Sequence, residues 1–345
     1  MRYALGAIAV WGRTIRPGRI RIALASIVVL IGAAAAALAQ ERVAPTRSYL
    51  TAFAPFYDGE YKDALRAFTD EHRGAIKTPQ SRWIDSICYE TMLGECHYEM
   101  GALGKALEHY TNALKLYVAF YDWMIRVQFP AAIQPAVTAK PAPWGVSTRR
   151  TRLGRYPETM LISQGRINNM PQYQHGGVVQ PATLYPIQVQ EIVRATTLAI
   201  RRRAALLGPA GPHDPLTAEV AAALARRPGP PNHWSEAWVN VQLGLAMVAS
   251  GRETQGIASL RQSLAAAGEF DHPLTSVALL ELGRIALSHG DFATAAKHFE
   301  EATYAAYNYP DAGVLEEAFR YGAITHIISN AKGIYPPLAA AAQWA

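Results

Sequence analysis

Residues 282–302 read LGRIALSHGDFATAAKHFEEA, and stretches 93–113 and 243–263 follow the same plan. After Leu282-Gly283 come Ala286, Gly290, Phe292, Ala295, Phe299 and Ala302. After Leu93-Gly94, at identical offsets, come His97, Gly101, Leu103, Ala106, Tyr110 and Ala113. The middle copy is looser, with Gly256 and Ser263 at two of the small positions, but its Leu243-Gly244 pair and Gly251 agree.

The offsets have a physical reason. Two antiparallel helices approach closely only where facing side chains are small, and a bulky side chain one turn on fills the space beside them. Gly101, Gly251 and Gly290 fall where the first helix of each pair must stop, because a left-handed residue ends a helix cheaply only when it is glycine.

This order of small and bulky residues resembles the tetratricopeptide repeat (TPR), a helix-turn-helix unit of about 34 residues. The resemblance implies an all-α fold: a TPR-like helical solenoid whose first helices line a concave groove that binds segments of a protein or peptide partner. The matching groove positions are Cys88, Thr91, Glu95, Tyr98 and Glu99 in the first copy. In the second they are Trp238, Val241, Leu245, Val248 and Ala249, and in the third Val277, Leu280, Arg284, Leu287 and Ser288. The implied groove is mostly apolar, without the Lys/Asn clamp by which some members grip a C-terminal carboxylate. For Trp238 and its neighbours, packing beneath the adjoining insertion is an equal alternative.

Outward from the repeats, residues 48–128 read as an N-terminal array. Its first unit is degenerate, with helix 48–57 weakened by Pro55, and a long helix capped by Ser81 follows. Residues 129–186 carry eight prolines and five glycines, which break any long helix and predict a Pro/Gly-rich, partly β or irregular insertion. Within it, Thr159–Ser163 and Val178–Leu184 are strand-like and could pair as a hairpin. Residues 187–230 predict a helical hairpin outside the repeat pattern, opened by Pro186 as a first-turn proline. Arg201, Arg202 and Arg203 sit near the end of its first helix, where cations suit the helix dipole. Residues 235–345 read as a C-terminal array, with the 39-residue spacing between Leu243 and Leu282 placing extra residues in the 268–273 loop. The final Leu338–Trp344 run is not the polar cap a solenoid needs, so the array is expected to be truncated or covered by a partner at this end.

Five of the chain's basic residues, Arg2, Arg13, Arg16, Arg19 and Arg21, precede the apolar run 22–37, which ends in Ala37-Leu38-Ala39. Residues 1–39 therefore read as a secretory signal, with an uncleaved membrane anchor over 20–39 as the alternative. Either places the folded part outside the cytoplasm, periplasmic or extracellular, and any membrane contact runs through this segment. The formal charge of +6 belongs mainly to the leader, so it does not point to nucleic acid. Cys88 and Cys96, eight residues apart on one predicted helix, lie about 12 Å apart along its axis, too far to bond.

Catalytic patterns are missing from the sequence: it holds no His-Glu-x-x-His, no Gly-x-Ser-x-Gly and no phosphate-binding Gly-rich loop with Lys-Ser/Thr. The arginines 149, 150, 152 and 155 form a basic cluster within the insertion and read as a solvated loop face, with contact to an acidic partner or to phosphate as the alternative. The expectation is an exported adaptor with neither cofactor nor metal. The alternative is the non-catalytic N-terminal part of a larger exported enzyme or receptor.

Overall fold

The spacing of small and bulky residues becomes a stack of helical hairpins in the computed structural model, which describes residues 43–77, 82–136, 141–164, 183–329 and 332–344. The leader and the Ser81 cap lie outside these residues. The inner helix of the first hairpin is split into α1 (Arg47–Thr51) and α2 (Phe53–Tyr57), and its outer helix is α3 (Tyr61–Gly74). The pairs α4 (Ser86–Glu99) and α5 (Leu103–Ala119), α6 (Val189–Leu207) and α7 (Pro215–Ala225), and α8 (Glu236–Ala249) and α9 (Glu253–Ala266) follow. The last two are α10 (Thr275–Ser288) with α11 (Phe292–Asn308), and α12 (Ala312–Ile328) with α13 (Pro336–Trp344). The fold is mostly helical and TPR-like, with a small β insertion.

The lock between paired helices is the same in three hairpins. A β-carbon added to Gly94 would stand 2.6 Å from the Tyr110 ring; on Gly283 it would meet Phe299 and on Gly244 Leu260, each also at 2.6 Å. In the last hairpin Gly322 meets Tyr335 at 2.6 Å, an aromatic supplied by the turn before α13. The turn glycine Gly290 has φ of 76° and Gly101 of 74°, the left-handed conformation that the repeat pattern requires. Gly256 has its own reason: a β-carbon there would lie 2.5 Å from Val248.

The helices α6 and α7, which carry no Leu-Gly signature, nonetheless fill a place in the stack. Helix α6 packs on α4, α5 and α8, and α7 on α5 and α8, so the two arrays are continuous through this pair. Pro186 does not open α6; it lies in a strand, paired opposite Leu161, and the helix starts at Val189. A proline without an N–H is tolerated in so short a ladder. In the first hairpin the break falls at Ala52, and Pro55 then sits in the first turn of α2, where its missing N–H costs nothing.

The described part of the insertion is held to the repeats by strand pairing and by side-chain contacts. Strands β1 (Gln134–Pro135) and β2 (Arg152–Arg155) pair antiparallel, while β3 (Thr159–Gln164) pairs antiparallel with β4 (Thr183–Gln188). The expected hairpin thus forms with its second strand later than 178–184, and residues 178–182 lie outside the description. Strand β2 also runs parallel to β5 (Phe270–Asp271), which is the extra length between the second and third repeat copies. Glu301 on α11 accepts hydrogen bonds from Thr148 N (2.7 Å), Thr148 Oγ1 (2.6 Å) and Ser147 Oγ (2.5 Å). The Trp144 indole donates to Thr303 Oγ1 at 2.9 Å. The Tyr309 hydroxyl accepts from Gly154 N (2.9 Å) and donates to the Asp271 carbonyl (2.6 Å). The basic cluster is partly consumed here, since Arg149 pairs with Asp271 at 2.7 Å and Arg152 with Glu269 at 3.5 Å.

Candidate functional site: the inner channel

The inner helices α4, α6, α8, α10 and α12 pack in succession, and the channel they line is divided by its charges into two regions. In the first, three inner helices are tied together by arginines of α6. Arg202 donates from Nε to Glu95 Oε1 at 3.0 Å and lies 3.5 Å from Glu317 Oε1, while Arg201 reaches Glu317 Oε2 at 2.8 Å. Glu95 also accepts from the Tyr110 hydroxyl, and the Arg202 guanidinium lies 4.6 Å from the Tyr98 ring centroid. These groups are largely buried, and Arg201, Arg202, Glu95 and Glu317 balance in charge. Only about 60 Å³ of space remains among them. Arg203, on the other side of α6, is held by Asp214 at 2.9 Å and 3.0 Å. The arginine run therefore staples helices together, a role its position near the helix end did not reveal.

The second region is open. A cavity of about 510 Å³ is bounded by Leu50, Val193, Leu274 and Pro310, by the rings of Tyr156, Trp238 and Tyr309, and by Glu158, Gln190, Glu191, Arg194 and Asp311. Arg194 binds both oxygens of Glu191 at 2.7 Å and stands 5.2 Å from the Phe53 ring centroid. Glu191 takes a further hydrogen bond from Tyr49. Asp311 caps α12, accepting from Val314 N at 3.0 Å, and Gln190 donates to the Tyr156 carbonyl at 2.7 Å.

The groove positions implied by the repeat pattern have mixed fates. Trp238 borders the cavity but is 1% exposed, packed against Phe129, Tyr156 and Trp234 beneath the insertion. Glu95 is a buried partner of Arg202 and Tyr110, not a free ligand contact. Cys88, Thr91, Val241, Leu245 and Leu280 are buried in helix packing, because neighbouring inner helices close over them. Val277 is buried too, at the edge of the narrow region. Tyr98, Val248, Ala249, Arg284 and Leu287 are half-buried, Glu99 and Ser288 exposed, and none of them borders the open cavity. Arg284 is held by Glu281 at 3.0 Å and lies 5.6 Å from the Tyr321 ring centroid. The repeat pattern missed Leu50, Gln190, Glu191, Arg194, Leu274 and Asp311. The Glu191/Arg194 spacing of three on one helix was the available signal for that face. Among the described residues, no three His, Cys, Asp or Glu side chains converge as a metal site, and no helix is long and apolar enough to cross a membrane.

Comparison with known proteins bears on one part of this architecture. Residues 235–306, which hold α8, α9, α10 and most of α11, match the family model described as tetratricopeptide repeat. That segment is a tetratricopeptide repeat region. No curated protein matches the chain. Among solved structures it is similar to the crystal structure of a Rap protein complexed with competence and sporulation factor, with 11% identity and a TM-score of 0.38. The match covers 82% of this chain and 64% of that one, so this chain spans less than two thirds of that protein's length.

Proposed function

We propose that this chain is an exported, non-catalytic scaffold that holds an extended segment of a protein or peptide partner in its inner channel. The observation that carries the reading is the open cavity of about 510 Å³ between the inner helices and the insertion. It combines apolar walls with hydrogen-bonding groups, the mixture that seats side chains and fixes a backbone. The adjoining narrow region is closed by its own ion pairs, so a partner would enter at the open cavity. Export rests on the leader: a basic stretch, an apolar run and a small-x-small site before Gln40.

A photoreactive amino acid in place of Leu50, which is 43% exposed and borders the cavity, should form an adduct with a partner polypeptide in the producing cells. The same group in place of Lys115, on the exposed outer face of α5, should not. Equal adducts at both positions, or none at 50, would count against the channel. N-terminal sequencing of the mature protein should begin at Gln40; an intact Met1 on a membrane-bound protein would replace the cleaved signal with an anchor.

A further inference from the structure

Building on the reading of the channel as a partner site, we infer that the open cavity selects a basic side chain, Lys or Arg, from the partner segment. The charges decide it. Three carboxylates, Glu158, Glu191 and Asp311, face the cavity together with one guanidinium, Arg194. Arg194 already makes a two-pronged pair with Glu191, which leaves Glu158 and Asp311 with no cation within 4 Å among the described residues.

The opposing influence is the backbone. The N-termini of α6, α10 and α12 lie at the cavity, marked by Gln188, Leu274 and Asp311, and each contributes about half a positive charge. Their sum, about +1.5 at most and including the α12 end that Asp311 caps, leaves about half a negative charge of the formal −2 unanswered. The walls suit the same guest. The half-buried Tyr309 offers aromatic surface to a cation, and the exposed Leu50 offers apolar surface to its methylene stem. The narrow region a few residues along the same helices provides the contrast, because there Glu95 and Glu317 are answered by Arg201 and Arg202 and no charge is left over.

The test uses the full-length chain and four fluorescein-labelled heptapeptides, Gly-Ala-Leu-X-Leu-Ala-Gly, with Lys, Arg, norleucine or Glu as X. Fluorescence polarisation should rank Lys and Arg above norleucine by about tenfold, two partly exposed ion pairs at two- to fivefold each, and Glu last. Glu158→Gln with Asp311→Asn, the second keeping a competent helix cap, should erase that preference and leave norleucine binding unchanged. High salt should shrink the gap as well. If all four peptides bind alike, the channel holds a segment without regard to charge and the inference is overturned while the scaffold reading survives. If none binds even at about 1 mM, the weak end of measurable affinity, both fail.

Discussion

Replacing Gly283 with alanine sets two effects of known sign against each other. The new β-carbon would sit 2.6 Å from Phe299 Cε1 and 2.8 Å from Cδ1, about 1 Å inside ordinary carbon contact. Phe299 has no free space to retreat into, being fully buried and stacked 5.5 Å from Tyr321. Overpacking of this kind costs about 1–3 kcal/mol. Alanine is also the better helix former by about 1 kcal/mol. The expected balance is a loss of up to about 2 kcal/mol, read as a lower urea midpoint in circular dichroism.

Two controls separate the terms. Gly104, on α5 with nothing within 4 Å of an added β-carbon, feels only the propensity, and Gly104→Ala should stabilise by about 0.5 kcal/mol. In a Phe299→Ala background, itself costing about 3–5 kcal/mol, the obstacle is gone and Gly283→Ala should become stabilising. The reversal of sign is the signature of the lock. A Gly283→Ala protein at least as stable as its parent, or the same sign in both backgrounds, would refute the close approach as the reason for that glycine.

Three further outcomes follow from the described contacts. Arg202→Ala leaves Glu95 buried with only Tyr110 as partner, and should lower stability by about 3–5 kcal/mol in urea titration; a loss under 1 kcal/mol would make the pair incidental. His272 is fully buried, and burial holds its imidazole down at about 3, below its ordinary 6.5. The unfolded chain thus binds the extra proton between those values, so stability is full above about pH 6.5 and falls as the pH drops toward 3, by at most about 5 kcal/mol. His272→Asn, which can still accept from Leu274 N, should flatten that slope in denaturation series across pH. Glu301→Ala removes three hydrogen bonds that hold the insertion, and should speed proteolysis within 141–155 with helicity unchanged; an unaltered cleavage rate would mean that Trp144 and strand β5 suffice.

The fold was legible wherever a local rule fixes it. The Leu-Gly pairs, the glycine turns and the bulky residue one turn on are spaced within a single hairpin, so the chain displays them at fixed offsets. Helices α6 and α7 were legible as a helical pair but not as part of the stack. Their approach uses alanines such as Ala195, Ala199 and Ala221, all fully buried, which look like any helical alanine. The site was much less legible, because pairing across long sequence separation decides it. Glu95 reads as a groove carboxylate until Arg202, 107 residues later, is folded against it. Trp238 reads as a ligand platform until Tyr156 covers it. The 39-residue spacing announced extra residues at 268–273, but not that Phe270 and Asp271 would form a strand for the insertion to pair with.

The most direct test of the scaffold is a crystal structure of the full chain with the partner segment recovered from the adduct at position 50. The account predicts that segment in the cavity between α6, α10 and the insertion, with a basic side chain against Glu158 and Asp311. A segment lying on the outer helices α9 and α11, with the cavity bordered only by solvent, would contradict it.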